Sequence, residues 1–282
     1  DARRINKITM PRLGGLAVLA GFFVSIAYLL VTMTIENKIN LSQDGYVTKL
    51  LGFGIGALIL GIVCFIDDVK SVPALVKLAA QTLAALVVMR FGIRIDNLDI
   101  PFINVNSFGS WFYPVLTIGW IVGITNAMNL IDGLDGLAGG LSAIAFIAYA
   151  LISLSVGFED IGLFSLILVG GLMGFLIYNT HPAKVFMGDT GSLSLGAVMG
   201  AIAILTHREL TLLVVASIFI IETLSVIVQT FWVQVFKRKL FLMTPIHHHF
   251  EKLGWHETDI VKLFWVCGLV LAMAGIIFGV WL

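Results

Sequence analysis

Between Asn126 and Gly140 runs the stretch NAMNLIDGLDGLAGG, with Asn126, Asn129, Asp132 and Asp135 spaced three apart between two strongly apolar runs. A charge at the centre of a bilayer costs about 2.5–3.5 kcal/mol on insertion scales. Two carboxylates and two amides at the end of a membrane segment therefore need a compensating partner. Spacing of three makes adjacent members neighbours on a helix. Gly133, Gly136, Gly139 and Gly140 argue that the helix breaks here. The stretch reads as a helix end opening into a glycine-rich polar turn at the membrane surface. A single Asp in a short loop would be a hydrated loop residue. Four polar groups among four glycines weigh instead toward a site for a cation, or for phosphate held through one.

Three further clusters carry chemistry. Asp67 and Asp68 end an apolar run, with Lys70 following. Adjacent like charges raise at least one carboxyl pKa, which suits a base or a metal ligand, although a solvated stop to a membrane span would look similar. FMGDTGS, residues 186–192, places Asp189 among small residues just before another apolar run. Its backbone amides suit phosphate and its carboxylate suits Mg²⁺. Upstream, Asn179, His181 and Lys184 give a weaker signal, since His181-Pro182 also reads as a helix stop. TPIHHHFE contains His247, His248 and His249. Consecutive residues point in different directions, so the three cannot all ligate one ion from a helix. One histidine is expected at a phosphate and the others in holding the loop, against a plain histidine-rich surface loop. Glu222, inside an apolar run, is expected to be paired or near the same cavity.

Elements must position these groups. The chain is 59% hydrophobic and 12% charged, with a mean hydropathy of +1.02. That excludes a soluble domain and indicates an all-α polytopic membrane protein, a single integral-membrane domain over residues 1–282. Zero net charge argues against nucleic acid as a partner. Cys64 and Cys267 lie in apolar runs and read as packing residues. Nine spans are expected: 14–34, 50–66, 72–89, 111–128, 137–156, 162–178, 191–206, 211–236 and 260–282. The eighth is long enough to protrude or bend. Residues 90–110 alternate in a way that suggests a small hairpin outside the bilayer. The chain starts at Asp1 with a basic lead and shows no signal peptide.

Lys and Arg placement sets the orientation. Alternate loops hold twelve basic residues on one side and five on the other. The richer side is expected in the cytoplasm, with the N-terminus inside and the C-terminus outside. Asp67–Asp68, Asn129–Asp135, Asn179–Asp189 and His247–His249 then all face the cytoplasm, although the assignment of spans used none of these clusters. Random loop residues would divide evenly. Several acids, few bases and a preference for hard cations suggest Mg²⁺-assisted phosphoryl chemistry with a lipid substrate.

Together FIDDVK, NAMNLIDGLDGLAGG, VFMGDTGSLSLG and PIHHHFE resemble the polyprenyl-phosphate N-acetylhexosamine-1-phosphate transferases, over nearly the whole chain. The resemblance implies transfer of a sugar-1-phosphate from a UDP-activated amino sugar to undecaprenyl phosphate, with Mg²⁺, releasing UMP. The part from IETLSVIVQ through LFLMTPIHHHFEKLGW looks like the branch that transfers phospho-MurNAc-pentapeptide in peptidoglycan synthesis to give lipid I. MPRLGG and the short run after Asp68 look more like the branch that transfers GlcNAc-1-phosphate. The last loop helps select the sugar in this family, which favours the first branch. By motif, Asp67 and Asp68 match the paired aspartates proposed to handle the lipid phosphate, and Asp189 the Mg²⁺-associated aspartate. Asn129, Asp132, Gly133, Leu134 and Asp135 match the nucleotide-side motif. Asn179 and Phe186 match positions lining the uridine pocket, and Lys77 a lysine near the diphosphate. His247, His248 and His249 match the family's histidine motif, counted with Asp67, Asp68 and Asp189 as catalytic. Family members usually have ten or more spans, one before the basic lead, so the first helix is expected to be absent here or lost. The expected setting is the bacterial inner membrane, with a homodimer as the candidate assembly.

A secondary transporter is the non-enzyme alternative, but its acids typically sit at the bilayer midplane within paired repeats. Here they lie at one face and no repeat is visible. The topology is directly testable. Single cysteines at Gly133 and Lys252 should be labelled only from the cytoplasmic side, and one at Asn97 only from outside. Labelling Gly133 and Lys252 from opposite sides would remove the case for one shared site.

Overall fold

The computed structural model describes residues 10–35, 46–96 and 111–281. These residues form eleven α-helices and, among the described residues, no strand. In chain order they are α1 (Gly14–Ile35), α2 (Tyr46–Val69), α3 (Ala74–Arg90), α4 (Phe112–Leu130), α5 (Leu137–Ser155) and α6 (Glu159–Asn179). Then come α7 (Gly188–Leu205), α8 (Glu209–Val215), α9 (Ser217–Phe236), α10 (Ile246–Lys252) and α11 (Glu257–Trp281). Seven of them, α1, α2, α5, α6, α7, α9 and α11, are long and apolar enough to cross a membrane. The expected third and fourth spans are also helical, as α3 and α4, but fall outside that set. The chain is a multi-pass membrane protein.

Helices α5 and α7 are central. In each, 78% of the span is buried, against 22% for α9 and 28% for α1 and α11. Both are built from Gly, Ala and Ser among Leu and Ile, and small residues let membrane helices approach closely. Around them α4 and α2 pack on α7, α6 and α11 pack on α5, and α1 packs on α6 and α7. Exposed Leu, Ile, Val and Phe cover the outer helices, as a lipid-facing surface requires.

The eighth expected span does bend. Ala216, with φ −96° and ψ 19°, separates α8 from α9. Between the expected eighth and ninth spans, residues 246–252 fold as α10, with Pro245 at its N-cap. Of the hairpin expected at 90–110, residues 97–110 lie outside the described residues; residues 91–96 form turns and carry no strand. Gly139 and Gly140 do not break a helix but lie within α5. A Cβ on Gly140 would sit 2.1 Å from Trp265 Cε2, so glycine there seats the indole against α5.

Helix α1 meets α7 with equal intimacy. The Gly14 and Gly15 N–H groups donate to Phe186 O (3.0 Å) and Met187 O (2.9 Å). A Cβ on Gly15 would lie 2.1 Å from Gly191 Cα, which is backbone and cannot move aside. Gly15→Ala should therefore lower stability by about 1–3 kcal/mol, the usual cost of overpacking. Gly21→Ala, with nothing within 4 Å of the new methyl, is the control that should not. Thermal unfolding in detergent compares the two.

Candidate active site

Alternation of the helices brings the ends of α2, α4, α6 and α9 to the starts of α3, α5, α7, α10 and α11. Every cluster singled out in the sequence lies at this end. α2 stops at Val69, and Asp67 Oδ1 accepts the Val72 N–H (2.6 Å) as the chain turns into α3. One turn into α3, Lys77 Nζ lies 3.1 Å from Asp67 Oδ2 and 2.7 Å from Asp189 Oδ2. Asp189, in the first turn of α7, receives Asn129 Nδ2 on its other oxygen (3.1 Å). Asn129 also donates to Ser192 Oγ (2.9 Å), and Ser192 donates to Gly188 O (3.1 Å). Asp67, Lys77, Asn129 and Asp189 thus form one cluster drawn from four helices.

Asp68 points elsewhere. Its Oδ1 accepts the Asp189 N–H (2.8 Å), and its Oδ2 accepts the Thr190 N–H (2.9 Å) and the Thr190 hydroxyl (2.6 Å). The amides of FMGDTGS, expected from sequence to suit phosphate, are engaged by this carboxylate.

The IDGLDG turn, residues 131–136, is held from three sides. From the end of α6, Asn179 Oδ1 accepts the Gly136 N–H (3.0 Å), and the Ala183 N–H donates to Asp135 Oδ2 (2.9 Å). From α11, Glu257 Oε1 accepts the Asp135 N–H (2.6 Å), and Trp265 Nε1 donates to Gly136 O (3.2 Å). Gly136 has φ +80°, a left-handed conformation suited to glycine at the start of α5. His181 Nδ1 lies 3.2 Å from Asp135 Oδ2 and 3.3 Å from Glu257 Oε2. The third side is α10: His247 is fully buried beneath Gly133, where a Cβ would come within 2.5 Å of its Nε2. His247 Nδ1 is 3.3 Å from Glu222 Oε2, and Glu222 Oε1 accepts the His247 N–H (3.1 Å). Leu134 is buried in the core under the same turn.

The three histidines separate by role. His247 supports the turn, with Glu222 as the partner that sequence anticipated. His249 Nδ1 accepts the Leu242 N–H (3.1 Å) and so holds the preceding loop. His248 pairs with Glu251 in its own helix. Phe186 is tied by its backbone to residues 11–14, donating to Pro11 O and accepting from Gly14, each at 3.0 Å. Asn126 leaves the constellation: its Nδ2 donates to Gln81 Oε1 (2.7 Å) and Val122 O (2.7 Å), joining α4 to α3. Sequence reasoning missed Glu257, Trp265, Ser192 and Thr190. The last two lie inside the FMGDTGS segment, whereas nothing in the local sequence marks Glu257 or Trp265.

Two sets of donors could hold a cation. Asp67 Oδ2 and Asp189 Oδ2 converge on one position, marked by the Lys77 ammonium, and their hard oxygens fit Mg²⁺, which usually takes one or two carboxylates and keeps its waters. Asp135, His181 and Glu257 offer ligand atoms within 4.8 Å of one another, but the imidazole lies between the carboxylates and the three satisfy each other.

Asp132 sits between the two halves. Burial pushes its carboxyl up to about 7, and the charges of Asp189 and Asp68 add to the effect against a smaller pull from Arg12. As pH rises from the ordinary value near 4 to about 7, the unfolded chain gives up this proton while the folded chain keeps it. Stability from this group is therefore present below pH about 4 and lost through about 7. Asp132→Asn should flatten that part of the stability profile, read as thermal unfolding in detergent against pH. An unchanged slope would show that Asp132 ionises as freely in the folded protein as in the unfolded chain.

Comparison with known proteins follows the same geometry. Residues 50–207 match the family model described as glycosyl transferase family 4, a segment that runs through Asp67, Lys77, Asn129 and Asp189. The chain is 41% identical to the phospho-N-acetylmuramoyl-pentapeptide-transferase of Shouchella clausii, covering 98% of this chain and 86% of the relative. It is 41% identical to that of Geobacillus kaustophilus, over 95% of this chain and 85% of the relative. With that of Staphylococcus epidermidis it shares 38% identity, over 98% and 87% respectively. On this similarity in sequence, the chain belongs to the phospho-N-acetylmuramoyl-pentapeptide-transferase family, within glycosyl transferase family 4.

Proposed function

We propose that this protein transfers phospho-MurNAc-pentapeptide from its UDP-linked donor to undecaprenyl phosphate, giving lipid I and UMP, at the cytoplasmic face of the bacterial inner membrane. The observation that carries the reading is the Lys77 ammonium shared between Asp67 and Asp189 at the end of an apolar bundle. Phosphoryl transfer needs positioning and charge neutralisation more than covalent help from the protein. A cation flanked by carboxylates at the membrane surface is suited to a lipid phosphate on one side and a nucleotide diphosphate on the other.

The residues divide accordingly. Asp67 stands at the end of α2, where it faces the lipid phosphate across the Lys77 ammonium. Lys77 faces the diphosphate. Asp189, oriented by Asn129, would hold Mg²⁺. A Mg²⁺ ion held by that carboxylate would supply positive charge to the phosphoryl oxygens. The turn at 131–136, with Asp132 and Asp135, takes the nucleotide side, alongside Asn179 and Phe186. His247 holds that turn from below, which leaves the half-buried His248 and His249 at the surface of the sugar-selecting loop.

Direct attack by the lipid phosphate is favoured over an aspartyl-phosphate intermediate. A phosphate monoester has its second pKa near 6, so it is largely dianionic at neutral pH and is already a nucleophile. The site supplies fixed charges on both sides of such an acceptor.

A donor panel with purified protein and undecaprenyl phosphate tests the reading. UDP-MurNAc-pentapeptide should be turned over with stoichiometric UMP and a Mg²⁺ requirement, and UDP-GlcNAc should not. Asp189→Asn should lower turnover by about 10²–10³-fold, the scale for losing one electrostatic stabiliser, with thermal stability retained. Near-normal turnover of that variant at limiting Mg²⁺ rules out its metal role. In single-turnover assays with donor alone no UMP should appear; stoichiometric UMP with label trapped on Asp67, Asp68 or Asp189 would establish the covalent route instead.

A further inference from the structure

The adjacent aspartates Asp67 and Asp68 face different tasks, and the difference follows from helix geometry. The first N–H groups of any α-helix have no partner within the helix. Helix α7 begins at Gly188, and no side chain at its own N-cap, Met187, accepts a hydrogen bond. Asp189 and Thr190 therefore present two orphan donors, at the positive end of the α7 dipole. Asp68, one residue from the end of α2, takes both, Asp189 N–H on Oδ1 (2.8 Å) and Thr190 N–H on Oδ2 (2.9 Å). The Thr190 hydroxyl adds a third bond (2.6 Å) to Oδ2. Hydrogen bonds to a carboxylate are shorter and stronger than neutral ones.

The backbone around this contact is shaped to fit it. Gly188 has φ +72°, and a Cβ there would lie 2.7 Å from Asp68 Oδ1 and 2.8 Å from Oδ2. The glycine of FMGDTGS thus makes room for the carboxylate of FIDDVK, and the threonine donates to it. Asp67 accepts no backbone N–H of α7 and meets that helix only through the Asp189 side chain. Its carboxylate faces the Val72 N–H and Lys77.

We infer that Asp68 is a positioning residue, a cap supplied to α7 by another helix. It sets the register of Asp189 against Lys77 and Asn129, while Asp67 alone of the pair faces the reacting phosphates. The inference rests on the transferase reading for its effect on turnover, but the cap itself has a readout independent of activity. To act as a base, Asp68 would have to give up donors that hold the metal-side aspartate in place.

The experiment uses the full chain in detergent with Asp68→Ala, Asp68→Asn, Thr190→Val and the double variant Asp68→Asn/Thr190→Val. Asn keeps an acceptor oxygen for the helix but cannot serve as a base. Asp68→Ala should lower kcat/KM by about 100-fold and Asp68→Asn by about tenfold, the range for partners that orient a metal-associated ligand. Half-saturating Mg²⁺ should rise in both. In thermal unfolding, Asp68→Asn and Thr190→Val should be non-additive, the double variant losing less than the sum. If Asp68→Ala does not fold, the Asn and Val variants decide the matter. Asn as inactive as Ala, or additive losses of stability, would overturn the cap. A wild-type protein that turns over no donor in the panel would defeat the transferase reading, while the unfolding cycle would still judge the cap.

Discussion

Lys77 places one ammonium between two carboxylates at the mouth of an apolar bundle, and the site depends on that arrangement. Asp67 comes from α2, Asp189 from α7 and the lysine from α3. Without the cation, two like charges would face each other at a membrane surface, where desolvation penalises each. With it, three helix ends are drawn to one point and held in register. The same cluster that completes the packing carries the charges a phosphoryl group needs. Structure and chemistry are therefore coupled at Lys77, and a change there affects both.

Around this point the helix ends satisfy one another. Glu222, buried within α9, accepts the backbone N–H that opens α10 through His247. Glu257, at the start of α11, accepts the Asp135 N–H. Polar groups buried in an apolar bundle are costly unless partnered, and these two carboxylates each take a backbone N–H from another element. The result is a turn, residues 131–136, fixed by α6, α10 and α11 at once. Such a turn is a preformed edge, and preorganisation of this kind lowers the entropy lost when a ligand binds.

The bundle itself explains why glycine recurs. α5 and α7 lie at the centre, and Gly15 against Gly191 and Gly140 against Trp265 mark contacts where a methyl group has no room. Gly133 sits over His247 in the same way. Close backbone approach at the site end lets side chains as short as Asp and Asn reach across helices.

Much of this was legible in sequence. Apolar runs separated by charged loops gave nine expected spans, each of them helical in the structure, because a bilayer admits little else. The clusters at Asp67, Asn129, Asp189 and His247 were each visible as polar groups interrupting apolar runs, and the alternation of spans placed them together at one end. Their pairing was not visible. Sequence could not tell Asp67 from Asp68, since adjacent identical residues carry no label; only the approach of α7 to the end of α2 decided that one faces Lys77 and the other the helix amides. It could not find Glu257, which lies 122 residues from the N–H it receives. Nor could it remove Asn126, whose spacing fits the motif but whose side chain is spent on Gln81. The physical reason is common to all three. Hydropathy is written locally along the chain, whereas hydrogen-bond partners are chosen by which helix ends meet, and that choice belongs to the packed bundle.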